Sequence, residues 1–212
     1  MEKNNQNLGW WAIKFKLIWP PQKNPQWHVD LLIAHRIISP TIIKFENQLS
    51  YWRFHRRAAQ DDSGHQFTFL FYSSQETANK VFSDIESHLL INELINYQIL
   101  MKTISDDTSD INHPDIQEMA DPSWTPLIKK TWSHFIMGVS QMWLAQIDEI
   151  AKSMDSLNED TTIPSLLESY DQINNVISTS WQEQGMHAYL HHLNAIYGYV
   201  PLKIIDVSLR QF

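Results

Sequence analysis

Three arginines and a histidine, Arg53, His55, Arg56 and Arg57, fall within five residues of one another, and Asp61, Asp62 and His65 follow within the next eight. Arginine offers a planar fork that fits carboxylate or phosphate, and histidine moves a proton near neutral pH. An unpaired buried cation costs several kcal/mol, so such a cluster beside aromatic residues calls for an anion. That anion is either a ligand or the chain's own Asp61 and Asp62. Tyr51-Trp-Arg-Phe-His-Arg reads as a strand, with Tyr51, Arg53 and His55 on one face and Trp52, Phe54 and Arg56 on the other. With the aromatic face packed under helices, Arg53 and His55 stand on the open face, within reach of His65 and the Asp61-Asp62 turn. The chemical reading is that Arg53 binds an anionic group, Arg56, Asp61 and Asp62 complete the ligand-binding set, and His55 or His65 transfers protons. The structural reading of the same residues is a solvated sheet face laced by cross-strand ion pairs.

A hairpin can hold such a cluster only on a folded sheet, and the flanking sequence supplies one. Trp10 to Trp19 alternates with period two and ends at Pro20-Pro21. A helix follows from about His28, with Val29, Leu32, Ile33 and Ile37 on one face, and Ser39-Pro40 either closes it or opens a second short helix. Phe67 to Tyr72 pairs with Tyr51 to Arg56 across the polar loop. Ser73 and Glu76 have capping-box spacing before a helix carrying Ala78, Val81, Phe82, Ile85 and Leu89. Tyr97 to Ile104 is the fourth strand. Strand, helix, strand, strand, helix, strand is the split-βαβ, ferredoxin-like pattern. The predicted fold is therefore α+β: a ferredoxin-like antiparallel sheet over 1–105, an acidic loop or linker over 106–122, and a helical region over 123–212 packed on the sheet or on a second subunit.

The hairpin also carries a resemblance. Asp30-Leu-Leu, the aromatic-Arg strand, the Asp-bearing turn, Gly64-His65 and the Phe-rich strand resemble the C-terminal domain of lantibiotic dehydratases, which also occurs alone in thiopeptide-type bacteriocin biosynthesis. The likeness spans about His28 to Leu94. It implies action on a modified ribosomal peptide, either glutamate elimination from glutamylated Ser/Thr or formation of a six-membered nitrogen ring. It matches Arg53 to the family's first-strand Arg, Asp61 or Asp62 to its turn Asp, and His65 to its His. Where the family has two Arg after that His, this chain has Phe67 and Phe69, or Gln66 and Thr68, according to register. The family's downstream Arg-Tyr-Gly-Gly-like segment is absent.

Two further groups bear on function. Glu183, His187 and His191 are i, i+4 neighbours on an unbroken helix, a geometry able to hold a metal, but Gly185 interrupts the run and no second motif supports it, so no metal site is assigned. The helix opening at Thr125-Pro126 carries Trp132, Met137 and Trp143, with Gly138 between; these face either the core or a partner surface, a homodimer being the alternative to ligand handling. Leu166, Tyr170, Ile173 and Ile177 mark another helix, Leu190, Leu193 and Tyr197 a third, and residues 203–209 an edge strand or a last helical turn.

Composition narrows the classes. The chain of 212 residues is 43% hydrophobic, with nine Trp, nine Phe and seven Tyr, enough to fill a core. With no Cys it holds no disulfide, thiolate nucleophile or Cys-ligated metal. A net charge of −8 disfavours duplex DNA as a partner. No Gly-x-Ser-x-Gly elbow or phosphate loop points to a nucleophile or a nucleotide cofactor, and no cofactor is predicted. Polar side chains interrupt the apolar stretch Thr131 to Ile150, and the N-terminus lacks a secretory core, so the expectation is a cytoplasmic protein that takes a peptide or small anionic ligand.

Overall fold

The structure is a computed structural model that describes residues 8–154, 157 and 162–202. Four strands, β1 (Leu8–Leu17), β2 (Tyr51–Ala58), β3 (His65–Ser74) and β4 (Leu100–Ser105), form one sheet in the order β2-β3-β1-β4, every neighbouring pair antiparallel. Period-two alternation sorts their side chains. Trp11, Ile13, Phe15 and Leu17 of β1, Phe67, Phe69 and Phe71 of β3, and Trp52 and Phe54 of β2 all enter the main core. The helices α1 (Trp27–Ile33), α3 (Gln75–Glu86) and α4 (Leu89–Asn96) supply Val29, Leu32, Val81, Ile85, Leu90 and Leu94 to the same core.

The helical run from Trp27 does not stop at Ser39-Pro40. It passes through a π-helical turn (Ala34–Ile38) into α2 (Ser39–Lys44), with Pro40 in the first turn of α2. The cap of α3 lies one residue later than the Ser73-Glu76 spacing predicts. Ser74 accepts from the Thr77 amide at 3.2 Å, while Ser73 is still in β3 and buried, its carbonyl accepting from Trp11 Nε1. Leu89 does not continue that helix either; it opens α4 and is 79% exposed. The fourth strand is shorter than Tyr97 to Ile104, because Gln98 turns the chain at φ 55° before β4 begins.

Residues 106–124 are not a free linker. They strap the second face of the sheet, where Ile116 and Met119 pack on Trp10, Ala12 and Leu70. The Trp10 amide donates to the His113 carbonyl at 2.9 Å, the Ala12 amide to Asp106 Oδ2 at 2.8 Å, and the Tyr72 hydroxyl to the Pro114 carbonyl at 2.7 Å. Gly9 allows this approach, since a Cβ there would lie 2.4 Å from Ile111 Cγ2.

The strap delivers the chain to α5 (Pro126–Lys152), capped by Thr125 and lying along the edge strand β2. Ser140 Oγ accepts from the Phe54 amide at 3.2 Å, and the Trp143 ring meets Phe54 edge-on at 5.4 Å, so the exposed sheet edge is covered. α6 (Ile163–Gly185) packs on α1 and continues through a second π-helical turn (Met186–His191) into α7 (His192–Ile196). No helix among the described residues is long and apolar enough to cross a membrane. The segment 203–209 lies outside the described residues.

Candidate functional site

Strand parity divides the hairpin cluster. His65 pairs with Ala58 and lies on the same side as Phe67, so it points into the core and not onto the face of Arg53 and His55. There His65 Nε2 donates to Asp30 Oδ1 at 3.1 Å; a carboxylate only accepts, which fixes that nitrogen as the protonated one. Asp30 is fully buried, and its other oxygen accepts from Arg56 Nε at 2.9 Å. Arg56 also donates to the Trp27 carbonyl at 2.9 Å, and its guanidinium lies between the rings of Trp27 (5.0 Å) and Trp143 (4.9 Å). Arg56 and His65 are thus bound by the protein's own Asp30. The expectation that His65 joins Arg53 and His55 on one open face is corrected by this one-residue alternation.

Asp61 and Asp62 do not reach Arg53 either. Asp61 pairs with Arg57 and accepts from the amides of Ser63 (2.9 Å) and Gly64 (3.3 Å), holding the turn in which Gly64 adopts φ 61°. The Asp62 carbonyl accepts from Lys16 Nζ at 2.8 Å. Both carboxylates therefore sit at the far end of the hairpin.

Arg53 is left without an anion. It is half-buried, its Nε makes no hydrogen bond, and among the described residues it has no ion-pair partner. Burial pushes its guanidinium pKa below the ordinary arginine value. His55, two residues on, keeps its side chain largely open to solvent, yet partial desolvation and then the charges of Arg53 and Arg57 push its imidazole pKa down.

Arg53 opens into a groove of about 940 Å³ between β2, α5 and α6. Its walls are Phe54, Trp124, Trp132, Ile136, Val139, Trp143 and Trp181, so four of the chain's nine tryptophans line one groove. Trp132 stacks edge-on with Trp124 at 4.7 Å, and Trp181 lies parallel to Tyr189 at 6.0 Å. Gly185 makes that last arrangement fit: a Cβ there would come within 2.9 Å of the Trp181 ring. The lining also has polar members, Arg56, Ser140, Gln146, Ser178 and Gln182, and Gln146 Nε2 donates to the Tyr189 hydroxyl at 2.6 Å.

Of the residues expected on a partner surface, Trp132 lines this groove, whereas Met137 packs on the main core and Trp143 does both. Gly138 faces open space, with no element close to it. Sequence reasoning missed Trp124, Trp181 and Tyr189, which only the packing of strap and α6 brings to the groove. It named Asp30 only through the resemblance; an acid inside the apolar run Val29 to Ile33 was the available signal.

The helix through Glu183, His187 and His191 is not a regular α-helix. The π-helical turn groups His187, His191 and His192, with ring centroids 5.2–5.4 Å apart. No group of three or more His, Cys, Asp or Glu among the described residues is arranged to hold a metal ion. Comparison of the chain with family models, curated proteins and solved structures found no match.

Proposed function

We propose that this chain is a binding module that takes an amphiphilic anion into the groove, a peptide segment with a carboxylate beside bulky apolar side chains. The observation that carries this reading is Arg53, a half-buried guanidinium with no counter-ion in a groove walled largely by aromatic and aliphatic side chains. A desolvated cation is costly alone and strongly favourable once an anion meets its fork. The groove lies at the top of the range of about 300–1,000 Å³ common for ligand sites, and its walls have the aromatic lining typical of them.

The hairpin's resemblance to lantibiotic dehydratase C-terminal domains supports a ribosomal peptide as the ligand, and the strand order supports a ferredoxin-like reading of the sheet. Any proton transfer on a bound peptide falls to His55, which lines the groove, and not to His65, which is sealed against Asp30.

The test is calorimetric titration with acetyl-Phe-Glu-amide and with its Gln counterpart. Binding of the acid with at least tenfold preference over the amide, lost in Arg53→Ala without a change in melting temperature, supports the reading. Equal affinity for both peptides, or a collapse in stability on removing Arg53, defeats it.

A further inference from the structure

Four consecutive residues of β2, Arg53 to Arg56, line the groove, so it borders the strand's backbone and not only its side chains. β2 is the outermost strand on its side of the sheet, and its register on β3 is unbroken from Tyr51↔Tyr72 to Ala58↔His65. In such a ladder the N–H and C=O of alternate residues point to the neighbouring strand, and those between point off the edge. The Phe54 amide donates outward to Ser140 Oγ at 3.2 Å, whereas the Ala59 amide donates inward to the Gly64 carbonyl at 3.2 Å. The even-numbered residues of β2 therefore present their backbone to the outside. Ser140 stands where the carbonyl of a further strand would stand, and it serves one amide. The outward amides and carbonyls of Arg56 and Ala58, and the outward carbonyl of Phe54, meet no partner among the described residues.

An open strand edge is a template for another extended backbone. Charge selects which one. Arg53 has no anion, His55 stands beside it, and Arg57 follows on the same face of the strand. A second copy added through β2 sets this cationic edge against itself, while a strand that carries a carboxylate meets it with the opposite charge. Alternation then assigns the side chains of the added strand. A residue opposite Arg56 turns to the side of Trp143, whose ring lies 4.9 Å from the Arg56 guanidinium. Its neighbour, opposite His55, turns to the other side, where Arg53 lies on the diagonal and within reach of a long side chain.

We infer that the acidic peptide binds as an added strand on the outer edge of β2, its backbone bonded to Arg56 and to the Phe54 carbonyl, with its apolar residue and its acid adjacent in sequence. The inference rests on the peptide reading above and adds to it an extended conformation and a spacing. Apolar and acidic side chains an odd number of residues apart are sorted to the Trp143 and Arg53 sides, whereas an even separation puts both on one side. Ser140 marks where the pairing stops, because its hydroxyl already occupies the Phe54 amide.

The test is calorimetric titration of the wild-type chain with acetyl-Ala-Phe-Glu-Ala-amide and with two forms of it, one methylated on the Phe nitrogen and one on the Glu nitrogen. Alternate amides of an added strand point to β2, so one methylation should weaken binding about tenfold and its neighbour should change it less than about twofold. The Phe nitrogen is the sensitive one in an antiparallel strand and the Glu nitrogen in a parallel one. Acetyl-Ala-Phe-Ala-Glu-amide, with ring and acid two residues apart, should lose the preference for Glu over Gln. Amide hydrogen exchange gives a second readout: the Arg56 amide exchanges freely in the free chain and slows about tenfold in the complex, while the His55 amide, which faces β3, is unchanged. Equal effects of the two methylations, or a complex in which the Arg56 amide stays unprotected, overturn the added strand; a preference for Glu over Gln in the same titrations then leaves Arg53 standing as the anion site. Peptides that do not bind, or that bind with Glu and Gln alike, defeat the peptide reading and the strand with it.

Discussion

Arg53 and Arg56 stand three residues apart on the same edge strand, and the protein treats them in opposite ways. Arg56 points to the core side, where Asp30, the Trp27 carbonyl and two indole rings take up its charge and its plane. Arg53 alternates to the other face of the strand; both arginines border the groove, but Arg53 is desolvated there and given no anion. Placing one arginine in a saturated site and the next in an unsatisfied one separates two roles that sequence alone merges. The first is part of what holds β2 to α1; the second is held ready for something the chain does not contain.

The largest effect that tests this contrast is on stability. Arg56→Met keeps the packing volume against Trp27 and Trp143 but strips Asp30 of its cation in a fully buried position. Breaking a buried pair from one side costs about 3–5 kcal/mol, so urea unfolding should show a loss of that order. Arg53→Met should leave stability unchanged or slightly raised, because it removes an uncompensated charge. The contrast collapses if the two variants lose comparable stability.

Next comes binding. A hydrogen bond to a charged group contributes about 1.5–3 kcal/mol, so Arg53→Ala should weaken the acidic peptide at least tenfold. Arg53→Lys should recover part of this, because it restores the charge but not the fork. In the same titration Arg56→Met, where it folds, should bind with nearly wild-type selectivity for acid over amide.

A smaller effect is expected at Gly185→Ala. Alanine favours the helix by up to about 1 kcal/mol relative to glycine, so the helix should not unravel there. The added methyl drives into the Trp181 ring, which must leave its stack on Tyr189. Peptide affinity should fall a few-fold while the acid-to-amide ratio stays, because the aromatic wall moves and Arg53 does not. A changed ratio would show that the wall and the arginine are not independent parts.

The α+β class and the four strands were legible because alternation at Trp11, Ile13, Phe15 and Leu17 and the run Phe67 to Phe71 are local signals. Locating the chemistry was harder for two physical reasons. A loop of uncertain length between β2 and β3 leaves the facing of His65 undetermined, and a shift of one residue moves every side chain to the other face. The groove, moreover, is assembled from residues as far apart as Arg53, Trp124 and Trp181, a proximity set by the strap and by α6 packing on α1. The acidic segment 106–122 looked like a linker because many of its anchors are backbone carbonyls, at His113, Pro114 and Ile116, which leave no mark in the residue types, and its few side-chain anchors, such as Asp106 on the Ala12 amide, have no periodic spacing.

The smallest expected effect is on pH dependence, and it falls on the open side of the strand. The His55 pKa is lowered in the folded chain, so between that value and the unfolded value near 6.5 the unfolded chain binds more protons. Stability is therefore full above that window and declines as pH falls through it. His28 and His35, also lowered by burial, titrate in the same range, so a stability profile alone cannot single out His55. Anion affinity can. A carboxylate seated on Arg53 offsets the repulsion that Arg53 and Arg57 impose on a charged His55, so binding should take up a proton. Affinity for the acidic peptide should rise as pH is lowered from 7.5 to about 6, and the rise should be absent in His55→Gln. The same profile for Arg56→Met should keep the wild-type slope, since its guanidinium faces Asp30. Were that slope to vanish as well, the two sides of β2 would be one electrostatic site, and the division between the saturated arginine and the waiting one would fail.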